Sequence, residues 1–431
     1  MKTVLRIGLS TVALLIAWVA AVFFGTSEGW WKQPLAPRGD SAAFMAAATR
    51  VIDSDQAGNA VMALIRDGTV QAVHTASIGA AVDADTVFQT ASLSKWITAW
   101  GVMALVEQGN LDLDAPVSRY LKRWTLPPSA FDNNKVTARR LLSHTAGLTD
   151  DLGYTGFAPG TPVPSLPAWL AQNSSEPPGA EGKIEVGTEP GTAWRYSGGG
   201  YAVLQLLIED LSGEPFEAYM QRTVFQPLGM VHSTFHWSPA QGTTLAAFHG
   251  KDGHPATHSR FPAVAASSLY TSVSDLTLFL QAQLAGRNGE RIGRGVLVPA
   301  TVARMWQPTG WLYGQPIWGL GTMLYADNRA GGFVVGHDGN SGNSGNSGPA
   351  INTAARLNPA TRNGIVIFET GKPLLATRLA SEWVFWEAGR VDFLAFKLAM
   401  PGMLRWLGWG SLAIVVLVPG LAWVMRRWRR R

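Results

Sequence analysis

Cysteine is absent from this chain of 431 residues. Its absence excludes a thiolate nucleophile, disulfide staples and thiolate-bound metals, and it fits any redox compartment. Charge is scarce too: Asp, Glu, Lys and Arg make up 15% of the residues. The formal net charge is +5, but Arg426, Arg427, Arg429, Arg430 and Arg431 supply all of it, so the rest of the chain sums to zero. The basic character therefore belongs to a tail and not to a domain surface. No basic patch is interleaved with aromatics, which argues against a nucleic-acid partner. H-E-x-x-H, Cys/His clusters, the G-x-S-x-G elbow and the Walker and dinucleotide glycine motifs are all missing. His232, His236, His249, His254 and His258 fall in loops without paired helical spacing and read as solvated or structural. The expectation is no metal and no cofactor.

What the chain does have is two long apolar runs, one at each end. Ile7 to Gly25 spans 19 residues behind Lys2 and Arg6. At about 1.5 Å per residue this nearly matches a hydrocarbon core of roughly 30 Å, and it exceeds a typical secretory h-region. Residues 1–27 therefore read as an uncleaved anchor, with Gly25-Thr26-Ser27 leaving a signal-peptide cleavage site open. Residues 406–425 form a second span flanked by tryptophans, and the basic tail 426–431 follows. Both basic clusters lie on the outer flanks of the spans. The positive-inside rule then places both termini in the cytoplasm and everything between them outside the membrane or in the periplasm. Residues 391–405 are amphipathic and read either as a segment on the membrane surface or as a linker helix. Residues 28–42, with Pro34, Pro37 and Gly39, read as a stalk.

Residues 43–390 then form the working domain. Ala60–Ile65 and Val70–His74 flank Asp67-Gly68, a hairpin signal. Helical pieces are expected at Ser41–Ile52, from Ile97 onward, and at Ala138–Leu142, Gly200–Leu211, Pro215–Val224 and Ser274–Leu284. Strand patterns return at Gly332–Val335, Ala350–Leu357 and Ile365–Phe368, and a helix at Leu374–Ala388 closes the domain. Strands at both ends of the domain with helices between them imply one antiparallel sheet, built from the two ends, with an inserted helical lobe: an α/β (α+β) fold. The loop Asp150–Gly187 has no clear period, and Gly339–Gly348 repeats Asn-Ser-Gly.

Thr90-Ala91-Ser92-Leu93-Ser94-Lys95-Trp96 follows a strand-like run and opens a helical one. It holds the only serine in the chain three residues ahead of a lysine. That spacing puts both side chains on one helix face, where a lysine kept dry could serve as base to the hydroxyl. Alone, such a pair is more often a helix cap and a solvated lysine. Three further segments carry weight: Leu142-Ser143-His144-Thr145-Ala146-Gly147-Leu148, Tyr196-Ser197-Gly198 and Gly336-His337-Asp338-Gly339-Asn340. With Glu107–Asp114, Glu189–Thr192 and Pro227–Met230, and in this order, they resemble the penicillin-recognising serine hydrolases. That family includes class C β-lactamases, DD-peptidases and related esterases, and the resemblance runs from about Ala43 to Ala388.

The resemblance implies a β-lactamase/transpeptidase-like fold in which Ser92 is the nucleophile that becomes acylated. Lys95 of the S-x-x-K element would take its proton, and Tyr196 would shuttle a proton to the leaving group. His337 stands at the K-T-G or H-x-G element. Gly339-Asn340 would shape the oxyanion region, with the N–H groups of Ser92 and Asn340 as donors. His144 would be a local hydrogen-bonding residue beneath the site. Two departures stand out: Gly198 replaces the Asn of Y-x-N, and His337 replaces a lysine. The expected activity is a membrane-anchored serine hydrolase acting through an acyl-enzyme on an ester or a D-amino-acid-type amide. A non-turnover binding protein, a weak β-lactamase and a structural envelope component are the alternatives. Expected partners are a small-molecule or peptide substrate and membrane lipid; oligomeric state is left open.

Overall fold

The computed structural model describes residues 2–150, 156–175, 183–341 and 348–428. Most of the Asn-Ser-Gly repeat, two parts of the Asp150–Gly187 loop and Arg429–Arg431 lie outside the described residues.

The sheet begins where Asp67 and Gly68 both take positive φ, 47° and 74°. This twist suits a two-residue hairpin. The hairpin joins β1 (Ala60–Arg66) to β2 (Thr69–Ala76). Further strands are β3 (Gly310–Leu312), β4 (Gln315–Trp318), β5 (Met323–Asp327), β6 (Phe333–Ser341), β7 (Ile351–Asn358) and β8 (Asn363–Thr370). Their order in one sheet is β2-β1-β8-β7-β6-β5-β4-β3. Every pairing is antiparallel. β1 pairs with β8 from Ala60↔Glu369 to Ile65↔Gly364, so the two ends of the domain meet as the second and third strands of the sheet.

Side chains alternate across the sheet with period two, and the alternation divides the core. Val61, Ala63, Val335, Ala355, Val366 and Phe368 face the helical lobe. Met62, Leu64, Val334, Ala354, Ile365 and Ile367 face the opposite layer. The helices named below are α1 (Lys2–Ser27), α2 (Ser41–Asp55), α3 (Ser94–Glu107), α4 (Gly198–Ser212), α5 (Leu375–Ala388) and α6 (Phe393–Trp428). α2 and α5 form the opposite layer, where Phe44 packs on Trp386 at 4.9 Å between ring centroids. α3 is buried from Ser94 through Leu105, as an all-round apolar helix must be.

The expected hairpin, the closing helix and the late strands all form. The three strands β3–β5 were not anticipated. They are three to five residues long, and the β3–β4 turn is made by Tyr313 and Gly314 at φ 50° and 76° without an Asn-Gly or Asp-Gly signal. A helix at Leu166–Ser175 lies inside the stretch read as irregular. The Pro215–Val224 helix is split into Phe216–Met220 and a wider π turn at Gln221–Phe225.

Two helices are long and apolar enough to cross a membrane, Leu5–Ser27 and Phe393–Trp428. The second is continuous through Pro401 and Pro419. They lie side by side and run antiparallel: Phe23 meets Phe396 at 6.0 Å, and the Trp18 indole sits where a Cβ on Gly410 would be. The segment between α1 and α2 lies on α5. Lys32 pairs with Glu382 at 2.6 Å, and Trp386 Nε1 donates to the Pro37 carbonyl at 2.7 Å.

Phe44 is fully buried. Phe44→Ala is expected to cost about 3–5 kcal/mol, read from the shift in a urea unfolding curve.

Candidate active site

A strained turn precedes α3. Ala91 holds φ at 48°, in the left-handed region that side chains avoid. Several bonds over-determine it. Thr90 N–H donates to Leu269 O at 2.8 Å, Ser94 Oγ donates to Ala91 O at 2.5 Å, and Leu269 N–H donates to Ser94 Oγ at 2.9 Å. The N–H groups of Leu93, Ser94 and Lys95 return to the carbonyls of Thr90, Ala91 and Ser92. The turn presents Ser92 half-buried while its neighbours are buried.

Lys95 lies one turn on and is 1% exposed. Its Nζ donates to Ala266 O at 2.7 Å and lies 3.3 Å from Ser92 Oγ. The rings of Tyr196 and Tyr201 enclose it, with centroids at 4.9 and 5.5 Å. Burial drives its pKa down to about 7, and the negative charge of Asp150 opposes the shift. Near neutral pH this lysine is therefore partly an uncharged amine within reach of a hydroxyl.

Tyr196 arrives from the N-terminal side of α4. A side-chain hydrogen-bond interaction with Ser92 draws its pKa down, but burial wins and leaves it well above the ordinary phenol value. His144, itself at φ 58°, stacks on Tyr196 at 4.3 Å. Its Nδ1 accepts the Ser197 N–H at 3.1 Å. Ser197 caps α4 by accepting the Gly200 N–H at 2.8 Å, and it donates to Asp150 Oδ1 at 2.5 Å. Asp150 Oδ2 accepts the Gly199 N–H at 2.7 Å. A buried carboxylate thus sits at a helix N-terminus, where its charge is favoured, and fixes the loop that carries Tyr196.

β6 forms the other wall. His337 is buried against Trp318, edge to face at 5.3 Å. Its Nδ1 lies 2.6 Å from the Asp338 carbonyl, which can only accept, so Nδ1 carries the proton and Nε2 a lone pair. Burial, with help from Lys95 and Arg356, lowers its pKa to about 3, so the ring is neutral at pH 7. Gly339 lets β6 approach the nucleophile turn. A Cβ there would lie 1.9 Å from the Thr90 carbonyl, which also accepts from Thr353 Oγ1 at 2.7 Å. β5 leaves β6 after Gly336↔Met323, so that edge of the strand is unpaired by β5 from His337 onward. Asn340 pairs with Asn352 across β7, and its side-chain amide turns away to the Pro373 carbonyl.

The structure therefore brings Ser92, Lys95, Tyr196 and His337 to one chamber, with Gly339 packed against the Thr90 carbonyl beside it. The Asn340 side chain points away from them, to the Pro373 carbonyl, so it offers no side-chain group to Ser92. Asp150, Tyr201 and Trp318 are contacts the sequence reading did not single out. Ser197 ahead of three glycines is a cap signal that would have pointed to the start of α4, but not to the Asp150 carboxylate that binds there. Among the described residues no group of three or more His, Asp or Glu converges as a metal site would.

Ser92 thus stands on a strained turn under the helical lobe, facing an antiparallel strand edge. The family model described as "Beta-lactamase" matches residues 44–384. The chain belongs to this β-lactamase family of serine hydrolases. It is 34% identical over 146 residues to Penicillin-binding protein 4* of Bacillus subtilis, covering 34% of this chain and 30% of that one. It is 34% identical over 162 residues to esterase EstB of Burkholderia gladioli, covering 34% and 38%. The chain thus spans about a third of the length of either relative. Among solved structures, the octameric penicillin-binding protein homologue from Pyrococcus abyssi superposes with a TM-score of 0.66 at 22% identity, covering 81% of this chain and 78% of that one. That likeness establishes the fold.

Gly339→Ala is expected to destabilise the domain by about 1–3 kcal/mol, because the clash is with a backbone carbonyl. Thermal unfolding against the parent chain measures it.

Proposed function

We propose that this chain is a membrane-tethered serine hydrolase that works through an acyl-enzyme on Ser92. The observation that carries the reading is the 3.3 Å approach of a dry Lys95 Nζ to Ser92 Oγ, beside Tyr196. Neutral Lys95 takes the Ser92 proton as Oγ attacks the substrate carbonyl. The N–H groups of Ser92 and Asn340 receive the charge on the carbonyl oxygen; such donors are typically worth about 3 kcal/mol each. When the C–O or C–N bond breaks, the proton passes through Tyr196 to the departing alcohol or amine. Water then cleaves the Ser92 ester, releases the acid and restores the hydroxyl.

The substrate class is an ester or a D-amino-acid-type amide. Neutral His337 favours uncharged groups at the strand edge, where the lysine of the K-T-G element would instead offer a carboxylate a fixed cation. The resemblance to esterase EstB supports an ester, and that to the D-alanyl-D-alanine-carboxypeptidase/endopeptidase AmpH of Escherichia coli keeps a D-amino-acid amide within the class. Gly198, lacking the amide of Y-x-N, supports the second reading, a protein that binds or is acylated by peptide-like compounds without turnover.

The two apolar helices and the basic residues Arg426 and Arg427 in the last turn of α6 support a hairpin anchor with cytoplasmic termini. The catalytic domain, residues 43–390, then faces the periplasm or the exterior.

Ser92→Ala is expected to abolish both fluorophosphonate labelling and steady hydrolysis of p-nitrophenyl esters. Lys95→Met is expected to lower the labelling rate by roughly 10²–10⁴-fold. Equal labelling of Ser92→Ala and the parent would end the reading. Labelling without turnover would favour the binding protein.

A further inference from the structure

Behind the catalytic strand lies a buried ionic cluster that the mechanism does not use. Arg356 on β7 is fully buried. It pairs through Nη1 with Asp338 Oδ1, and its guanidinium lies 3.5 Å from the centroid of the Tyr325 ring. Tyr325 Oη donates to the same Asp338 oxygen at 3.0 Å. Asp338 is the residue after His337, and its carbonyl is what holds His337 Nδ1–H. On its far side the cluster reaches α6. Asp392 is fully buried, caps that helix by accepting the Ala395 N–H at 2.8 Å, and is felt electrostatically by Arg356. Phe393, the first residue of α6, stacks on Tyr325 at 5.6 Å and 16°.

One guanidinium thus stands between a carboxylate beside His337 and a carboxylate at the foot of the membrane-type helix. A buried ion pair is indifferent as a source of stability, but once formed it tolerates little displacement, because a stranded charge is costly. The aromatic stack couples the same two elements. We propose that Asp392 and Phe393, with Tyr325, Arg356 and Asp338, are positioning residues: the first turn of α6 sets the place of β6 and thereby of His337. This inference rests on His337 belonging to the active site. Its consequence is that movement of α6 relative to the domain is felt at the chamber.

The full-length chain in lipid nanodiscs tests it by histidine side-chain ¹H–¹⁵N NMR together with ester kinetics. The hydrogen-bonded Nδ1–H of His337 is the resonance lost in His337→Gln. Phe393→Leu, which keeps apolar volume and removes the ring, should shift that resonance or speed its exchange. It should also lower kcat on the order of 10-fold at a nearly constant KM. Asp392→Asn, which keeps the cap and removes the charge, should do likewise. Phe393→Tyr should restore both readouts, and Glu382→Gln, which breaks only the Lys32 pair, should change neither. A folded Phe393→Leu variant with the parent resonance and kcat would overturn the proposal, as would equal effects in Glu382→Gln. The NMR arm reads His337 placement even if the parent hydrolyses nothing, so failure of the hydrolase reading is distinguishable from failure of this one.

Discussion

A lysine side chain taken out of water must either find a counter-charge or give up its proton. At Lys95 the surroundings are two tyrosine rings, a backbone carbonyl and a serine hydroxyl, with the Asp150 carboxylate held at a helix N-terminus instead of against the amine. Burial wins over attraction, and the pKa falls to about 7. The rest of the chamber depends on this balance. Closer contact with Asp150 would hold the ammonium charged and useless as a base. An open chamber would do the same by hydration. The low pKa of His337 follows partly from the same neighbour, because a charged Lys95 disfavours a second cation beside it.

Keeping the lysine dry requires the sheet and the helical lobe to close on each other. Gly339 and Thr353 press β6 and β7 onto the Thr90 carbonyl, while Leu269 and Ala266 hold the other side of the same turn. These contacts join parts of the chain more than 150 residues apart. Ser92 is thus presented by a strained backbone that only the completed fold can hold. The strand opposite is itself braced from behind by Arg356 and the foot of α6, so support for the site extends to the chain's second apolar helix.

Much of this was legible in the residues. Asp67-Gly68 announced its hairpin because only a few residue pairs adopt two positive φ values cheaply. Strand patterns exposed β7, β8 and the start of β6, which runs on to Ser341, and the order of Ser92, Lys95, Tyr196 and His337 marked the chamber before any contact was visible. Other features left no local trace. β3–β5 are too short for a period to register; β5 is held by pairing with β6, and β4 and β3 add outward from it in turn. Asp150 matters through Ser197 and Gly199, about fifty positions away, and nothing in its own neighbourhood says so. Arg356 looks like any charged strand residue until Asp338, Tyr325 and Asp392 surround it. The neutrality of His337 likewise arises from burial, which sequence spacing does not encode.

The proposed chemistry turns on uncharged Lys95 acting as the base that activates Ser92. The most direct test is the rate of acyl-Ser92 formation, followed by quenched-flow intact-mass analysis with an activated ester across a pH series. Because the base works only when deprotonated, the rate is expected to rise with pH through an apparent pKa of about 7. A rate flat across neutral pH, or one that falls as the pH rises, would contradict it.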